Sequence, residues 1–296
     1  MPIPATALGL ETEPVVHEVD ARWTMAYGAS LDDTEACYLD TTREGGVVAH
    51  PLFPICPEWP VVLEARDLLM QDGLTPPESR RGVHASHDLH VHRLVRPGDR
   101  LHTRATIVSI EPRAAGAYLV LRLETVDELG EPVATTFQGS LYRDVEVTGE
   151  PGAPLGNIPT LPAKNARVFP TGTPDTIRAL PIAANAAHTY TECARIWNPI
   201  HTDREVALAA GLPDIILHGS ATLALTVSKI VSFETDSEPE AVRRICGSFR
   251  GMVLMPSELE LRIYHGRERN GFRDVFFEVI NMDGRAAIGD GLVVLG

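Results

Sequence analysis

The block between Tyr190 and Gly219 holds the side chains best suited to chemistry. It reads Tyr-Thr-Glu-Cys-Ala-Arg-Ile-Trp-Asn-Pro-Ile-His-Thr-Asp, then a short helix-forming stretch, then Ile-Leu-His-Gly. Asn198 and Pro199 predict a rigid turn that presents His201. A neutral imidazole there can take a proton from water, while Asn198 orients a water molecule or a carbonyl group. We interpret the block as an acid–base site.

A second His-Gly pair stands at a predicted helix start. Free backbone amides there can stabilise an oxyanion or an enolate, and Gly219 lets a ligand approach the backbone closely. His218 could instead brace the loop. Tyr190 is predicted to lie in the core or in a pocket wall. Arg195 and Trp197 flank the site. The arginine is as well suited to binding an anionic group of a ligand as to lying solvated on the surface.

The elements that position His201 are two predicted helices. Thr202 and Glu205 fit a capping box, which places His201 immediately before a helix N-terminus. The positive potential of a helix start favours the neutral form of the imidazole. That helix ends at Gly211, and an apolar helix is predicted over residues 220–231.

Composition limits the classes of function. The chain has 296 residues, 44% of them hydrophobic and 22% charged, with a net charge of −14. A surface this acidic repels phosphate backbones, so we expect no nucleic-acid partner. No apolar run is long enough to span a bilayer and the first residues do not resemble a signal peptide, so we expect a cytoplasmic protein.

Cysteine and histidine spacing argues against a metal or another cofactor. The four cysteines are far apart and form no CxxC motif, which makes a structural zinc site improbable. Cys193 lies near His201 in sequence, so a thiol nucleophile is conceivable. Four histidines crowd residues 84–92, but none forms an i, i+4 helical pair framed by an acid. We expect no metal site and no cofactor.

Hydrophobic periodicity repeats one plan in both halves. Helices are predicted over residues 22–29 and 61–69, and strands over 36–39, 83–92, 101–108, 118–126, 133–141, 259–264, 275–281 and up to Leu295. The simplest interpretation is two copies of a helix wrapped by an antiparallel sheet. We place the first unit at residues 1–146, a Pro- and Gly-rich linker at 147–178 and the second unit, which carries the block, at 179–296.

The block resembles the MaoC-like family, also called R-specific enoyl-CoA hydratase 2. The spacing agrees without gaps at these family positions: Tyr190, Asn198, Pro199, Ile200, His201, Asp203, Ala207, Gly211, Ile216, His218 and Gly219. The resemblance extends more weakly into the first half, at Tyr27-Gly28-Ala29 and at the Pro97-Gly98-Asp99 turn.

The resemblance implies an α+β double hot-dog fold, with two long central helices each wrapped by a curved antiparallel β-sheet. It implies reversible hydration of a trans-2-enoyl thioester, CoA-bound or carrier-bound, to the R-3-hydroxyacyl thioester. An Asp and a His act on water, and a backbone amide, here that of Gly219, holds the thioester oxygen. The first half would shape the tunnel for the acyl or CoA tail, in a homodimer or a pseudo-dimeric monomer.

One departure from the family puts the ordinary mechanism in doubt. The family's catalytic Asp falls on Ile196, and the preceding Ser-Gly falls on Ala194 and Arg195. A positioned acid or base contributes about 10²–10⁴ in rate, so hydration should be impaired. Another group could substitute for the missing carboxylate, and the candidates are Glu192, Asp203, His188, His84 and His87. Otherwise His201 acts alone on a substrate with an acidic α-proton or a good leaving group, or the site binds thioesters without hydrating them.

We therefore expect a hydratase/dehydratase, a C–O lyase, with an altered acid–base site. One alternative is an isomerase or another lyase that acts on an unusual acid. The other is a catalytically silent acyl-thioester-binding subunit that partners an active hot-dog chain.

Overall fold

The computed structural model describes residues 2–162, 169–170 and 172–296. Residues 163–168 and 171, part of the predicted linker, lie outside the described residues. The helices are α1 (Ala21–Ser30), α2 (Ala36–Leu39), α3 (Ile55–Gln71), α4 (Pro76–Ser79), α5 (Ala186–Ala194), α6 (Arg204–Ala209) and α7 (Gly219–Glu234). Short 3₁₀ helices span Ala5–Ala7, Pro199–His201 and Pro239–Ala241.

The strands form one large sheet and one small pair. They are β1 (Ile3–Pro4), β2 (Val15–Glu18), β3 (Gly82–Val91), β4 (Arg100–Arg113), β5 (Gly116–Val126), β6 (Pro132–Arg143), β7 (Val147–Thr148), β8 (Thr176–Ile182), β9 (Val242–Phe249), β10 (Ser257–Arg269), β11 (Phe272–Ile280) and β12 (Ala286–Leu295). The large sheet has the order β2-β4-β5-β6-β3-β9-β12-β11-β10-β8, and β1 pairs with β7. All pairings in the large sheet are antiparallel.

Two sets of five strands meet where β3 pairs with β9. The first set contacts α3 through β2, β4 and β5, and the second contacts α7 through β9 and β12. Both helices are apolar over much of their surface because each lies inside its half of the sheet. This is the predicted α+β plan of two helix-and-sheet units.

The largest cluster of buried apolar side chains in the described part of the chain joins the two halves. This cluster contains Phe53 and Leu89 of the first half together with Ile245 and Phe277 of the second. Helices α1 and α5 also contact each other, and the hydroxyl oxygens of Tyr27 and Tyr190 lie 3.4 Å apart. The two halves therefore pack as a pseudo-symmetric pair.

Two predictions of local structure in the first half were wrong. Residues 36–39, predicted as a strand, form one helical turn in which the Asp40 amide donates to the Ala36 carbonyl at 3.0 Å. Helix α3 starts at Ile55, six residues before its predicted start, and includes two prolines. Pro57 lies in the first turn, where no backbone amide has an intrahelical acceptor, and Pro60 removes only one hydrogen bond.

The predicted capping box in the second half was also wrong. The N-cap of α6 is Asp203, whose Oδ1 accepts hydrogen bonds from the amides of Glu205 at 2.9 Å and Val206 at 3.2 Å. Thr202 instead terminates the 3₁₀ turn that contains His201. In the described part of the chain, no helix has the length and apolarity needed to cross a membrane.

Candidate active site

His201 is the centre of the site. It ends the 3₁₀ turn Pro199–His201, which Asn198 caps by accepting a 3.4 Å hydrogen bond from the Ile200 amide. The Nδ1 atom of His201 lies 2.8 Å from the Ile216 carbonyl oxygen. A carbonyl can only accept, so Nδ1 carries the proton and the lone pair of the neutral ring is on Nε2.

The ring of His218 stacks on that of His201. The two ring centroids are 3.6 Å apart and the planes differ by 26°. His218 is buried, and its Nε2 lies 3.3 Å from Thr191 Oγ1. The Tyr190 ring is buried and its centroid is 5.0 Å from that of His218.

Both imidazoles are held in their neutral forms. Burial lowers the pKa of His201 to about 4, and the hydrogen bond to Ile216 opposes this shift only in part. Burial and the neighbouring His201 lower the pKa of His218 well below its usual value. The sequence predicted a neutral His201 from the helix start, whereas the cause in the structure is desolvation.

Gly219 is the first residue of α7, as predicted. A Cβ atom built at this position would lie 2.9 Å from the Phe249 ring, so the missing side chain admits that ring. The close neighbour of Gly219 in this structure is therefore an aromatic side chain. The amides of the first turn of α7 still begin at this point, directly after His218.

A cavity of about 270 Å³ lies beside the Asn-Pro turn. Its wall contains Trp197, Asn198 and Pro199 together with His188, Thr191, Glu192 and Thr202. His201 and Gly219 are not among its lining residues. Thr191 connects the two regions, since it lines the cavity and contacts His218.

The position of the family's catalytic carboxylate is apolar. Ile196 is 4% exposed and belongs to the main core cluster. Arg195, on the family's glycine position, has the left-handed backbone conformation (φ 59°) that glycine adopts most easily. Its guanidinium lies 4.0 Å from the Trp23 ring of the first half, while Trp197 is 60% exposed.

The proposed substitutes for the missing acid lie in three different places. The Asp203 carboxylate caps α6, as described above. Glu192 and His188 line the cavity, and His188 Nε2 donates to the Thr202 carbonyl oxygen at 3.1 Å. His84 is in β3, and its ring centroid is 4.6 Å from that of Phe249. On the same strand, the ring centroid of His87 is 5.4 Å from that of His84.

Asp33 was not among the residues predicted for the site. It follows Tyr27 by six residues, as Ile196 follows Tyr190, and the residue before each has a left-handed backbone, with φ 54° at Asp32. Asp33 is buried, and burial raises the pKa of its carboxyl. The spacing was a usable signal: the first half carries an acid at the position where the second half has lost one.

Other candidate chemistry is not supported by the geometry. Burial raises the pKa of the Cys193 thiol, which disfavours a thiolate nucleophile. Among the described residues, no group of three or more His, Cys, Asp or Glu side chains is arranged to hold a metal ion.

Comparisons with known proteins identify both halves. Residues 167–283 match the family described as MaoC like domain, and residues 6–136 match the FAS1-like, dehydratase domain region. The second half is a MaoC-like domain. Its motif residues Asn198 and His201 lie within the match.

A curated relative and two solved structures are also similar to this chain. The chain is 28% identical over 193 residues to enoyl-CoA hydratase ChsH3 of Mycobacterium tuberculosis, covering 62% of this chain and 64% of that protein. The chain thus spans less than two thirds of this relative.

A MaoC-like dehydratase from Phytophthora capsici superposes with a TM-score of 0.81 at 18% identity, over 97% of this chain and 95% of that one. An M. tuberculosis protein described as a double hot-dog fold superposes with a TM-score of 0.64 at 14% identity, over 97% and 96% of the two chains. The predicted double hot-dog fold is confirmed.

Proposed function

We propose that this protein is a hydro-lyase that adds water to a trans-2-enoyl thioester and, in reverse, dehydrates a 3-hydroxyacyl thioester. The observation that carries the proposal is the orientation of His201. Its Nδ1 is hydrogen-bonded to the Ile216 carbonyl, so Nε2 carries the lone pair with which the ring acts as a base. The site belongs to a MaoC-like domain with an enoyl-CoA hydratase among its relatives.

One base can carry the whole proton cycle. His201 Nε2 takes a proton from water as the water oxygen bonds to C3 of the thioester. The C2–C3 π electrons move toward the thioester carbonyl, whose oxygen accepts a hydrogen bond from the Gly219 amide at the start of α7. The imidazolium then returns the proton to C2, which regenerates the neutral imidazole.

The placement of Glu192 and His188 supports one supplementary role. Both side chains line the cavity beside Asn198, whereas Asp203 is occupied as an N-cap. We propose that this cavity supplies the attacking water, with Asn198 as its orienting residue. The carrier of the thioester is CoA or a carrier protein. The enzyme acts as a homodimer or as a single pseudo-dimeric chain. Its cytoplasmic location stays a prediction.

A second candidate function rests on Ile196. An apolar side chain packed into the core at the acid position fits a subunit that binds acyl thioesters without hydrating them. Such a subunit would partner an active hot-dog chain.

The variant His201→Ala separates these functions. We expect kcat/KM for the hydration of trans-2-enoyl-CoA to fall by about 10²–10⁴, because the only proton carrier of the cycle is removed. The measurement is the loss of enoyl-thioester absorbance, and His102→Ala on β4 is the matched control. Equal turnover in wild type and His201→Ala would end the enzymatic interpretation of this site.

A further inference from the structure

The inner face of the first-half sheet carries buried polar groups that the proposed mechanism does not use. Glu58 of α3 is 1% exposed, and its Oε1 accepts a 2.5 Å hydrogen bond from Thr136 Oγ1 on β6. Its Oε2 has no hydrogen-bond partner among the described residues. Buried polar atoms are nearly always paired, so the free oxygen requires a reason.

Two histidines of β3 lie on the same side of the sheet because of a β-bulge. The register shifts between His84 and Ser86, which leaves Ala85 as the extra residue. Ser86 Oγ contacts Tyr118 OH on the opposite face, while the rings of His84 and His87 are 5.4 Å apart. Without the bulge, residues three apart would point to opposite faces.

His87 is the most isolated of these groups. It is 1% exposed, and neither ring nitrogen has a partner in the described part of the chain. Gln138 of β6 stands opposite it in register, and Thr136 is two residues from Gln138 on the same face. Glu58, His84, His87, Thr136 and Gln138 therefore form one group, which we call the inner polar patch.

The inner polar patch is continuous with the candidate active site. The His84 ring packs edge-on against Phe249, with 4.6 Å between ring centroids. Phe249 in turn packs on Gly219, the first residue of α7. The patch thus lies across the Phe249 ring from the position where the thioester oxygen would bind.

The patch is uncharged near neutral pH. Burial raises the pKa of Glu58 to about 8 and lowers the pKa of His87 to about 4. A protonated carboxyl donates a hydrogen bond, and a neutral imidazole has one donor and one acceptor. A hydroxyl group, which both donates and accepts, matches this set, whereas an alkyl chain would leave it unpaired.

We propose that the inner polar patch binds a hydroxyl group on the acyl chain, beyond the reacting carbons. The inference rests on the proposed function for its substrate class. It separates this protein from hydratases that act on plain alkyl chains, because the end of the acyl pocket would contain polar groups.

The test compares three thioesters of equal chain length: trans-2-octenoyl-CoA, its ω-hydroxy derivative and its ω-carboxy derivative. We expect kcat/KM for the ω-hydroxy ester to exceed that for the plain ester by at least about tenfold, since a buried polar site discriminates against a ligand that leaves it unpaired. A preference for the plain or the carboxy ester would overturn the inference and leave the hydratase function intact.

The variant His87→Leu assigns the preference to the patch. We expect the ratio of kcat/KM for the hydroxy ester to kcat/KM for the plain ester to fall to about 1 in this variant. His92→Leu is the matched control, because His92 directly follows the same strand and its exposed side chain is hydrogen-bonded to Thr135 on the sheet surface. Gln138→Met repeats the test if His87→Leu does not fold, and an unchanged ratio in the folded variant contradicts the proposal.

A binding measurement tests the inner polar patch separately from the hydratase function. Octanoyl-CoA and ω-hydroxyoctanoyl-CoA cannot be hydrated. Calorimetry with these two esters therefore measures their affinities without turnover. Tighter binding of the hydroxy ester by wild type, lost in His87→Leu, supports the inference even if no enoyl ester reacts. Equal affinities for the two esters would refute it whatever the enzymatic result.

Discussion

At the scale of single residues, the site combines an intact histidine with an apolar substitute for its partner. The Ile216 carbonyl fixes the tautomer of His201, the His218 ring stacks on it, and burial keeps its imidazole neutral. Ile196, five residues before His201, packs into the core, and its side chain has no proton to transfer. In the proposed reaction, chemistry at this site therefore depends on one imidazole.

Restoring the acid should raise activity. We expect Ile196→Asp to increase kcat for enoyl-CoA hydration by about 10²-fold or more, because a positioned carboxylate contributes about 10²–10⁴. The buried carboxyl should also lower the free energy of unfolding by about 1–3 kcal/mol. Ile196→Asn is the matched control, as it is equally polar and cannot transfer a proton. Equal activity in the two variants would show that the family mechanism does not apply.

The pH profile should report the depressed pKa of His201. The imidazole must be neutral to accept a proton, and its pKa is lowered from 6.5 to about 4. We expect kcat/KM to stay constant as pH falls through 6.5 and to decrease only near pH 4 to 5. The measurement is kcat/KM against pH, with unfolding monitored in parallel by circular dichroism. An acidic limb near 6.5 would mean that His201 is solvated in solution.

At the scale of elements, one 3₁₀ turn and one helix start position the site. The 3₁₀ turn Pro199–His201 presents the imidazole, and the start of α7 presents backbone amides next to it. Helix α6 lies between them and is anchored by the Asp203 carboxylate. The family-like Asp203 thus has a structural explanation that needs no catalytic role.

Substitution of Asp203 distinguishes a cap from an acid. We expect Asp203→Ala to lower the free energy of unfolding by about 1 kcal/mol, because two amides of α6 lose their acceptor. Asp203→Asn retains the acceptor and should be close to wild type in both stability and kcat. Denaturant unfolding and steady-state kinetics measure the two effects. Loss of activity in Asp203→Asn at full stability would identify Asp203 as the missing acid.

At the scale of the whole molecule, the two halves share one sheet and one core cluster. The sheet is continuous through β3 and β9, and the main core cluster contains side chains of both halves. Ser228 of α7 adds a polar link. The Leu52 amide donates to His50 Nδ1 at 3.1 Å, so His50 Nε2 carries the proton and donates to Ser228 Oγ at 3.2 Å.

This connection predicts a single unfolding transition that Ser228→Ala shifts as a whole. Removing the acceptor of a buried N–H should lower the free energy of unfolding by about 1–3 kcal/mol. With the exposed Trp197 of the second half replaced by Phe, the fluorescence of Trp23 and Trp59 reports on the first half and circular dichroism on both, so the two signals should coincide before and after substitution. Two separate transitions would show that the halves fold independently.

The sequence alone determined much of the second-half site. The spacing of Asn198, His201 and His218-Gly219 predicted the turn and the helix start, because turns and caps depend on local residue types. Local patterns also failed in places: proline content hid the first two turns of α3, and Thr202 was preferred over Asp203 as a cap.

Tertiary structure alone decided what each group faces. The stacking of His201 on His218, the Phe249 ring on Gly219 and the inner polar patch all join residues far apart in sequence. Desolvation, which sets the pKa of His201, is a property of the packed interior that no local pattern encodes. The correspondence of Asp33 to Ile196 was present in the spacing, but it gained meaning only when the two halves were seen to pack as a pair.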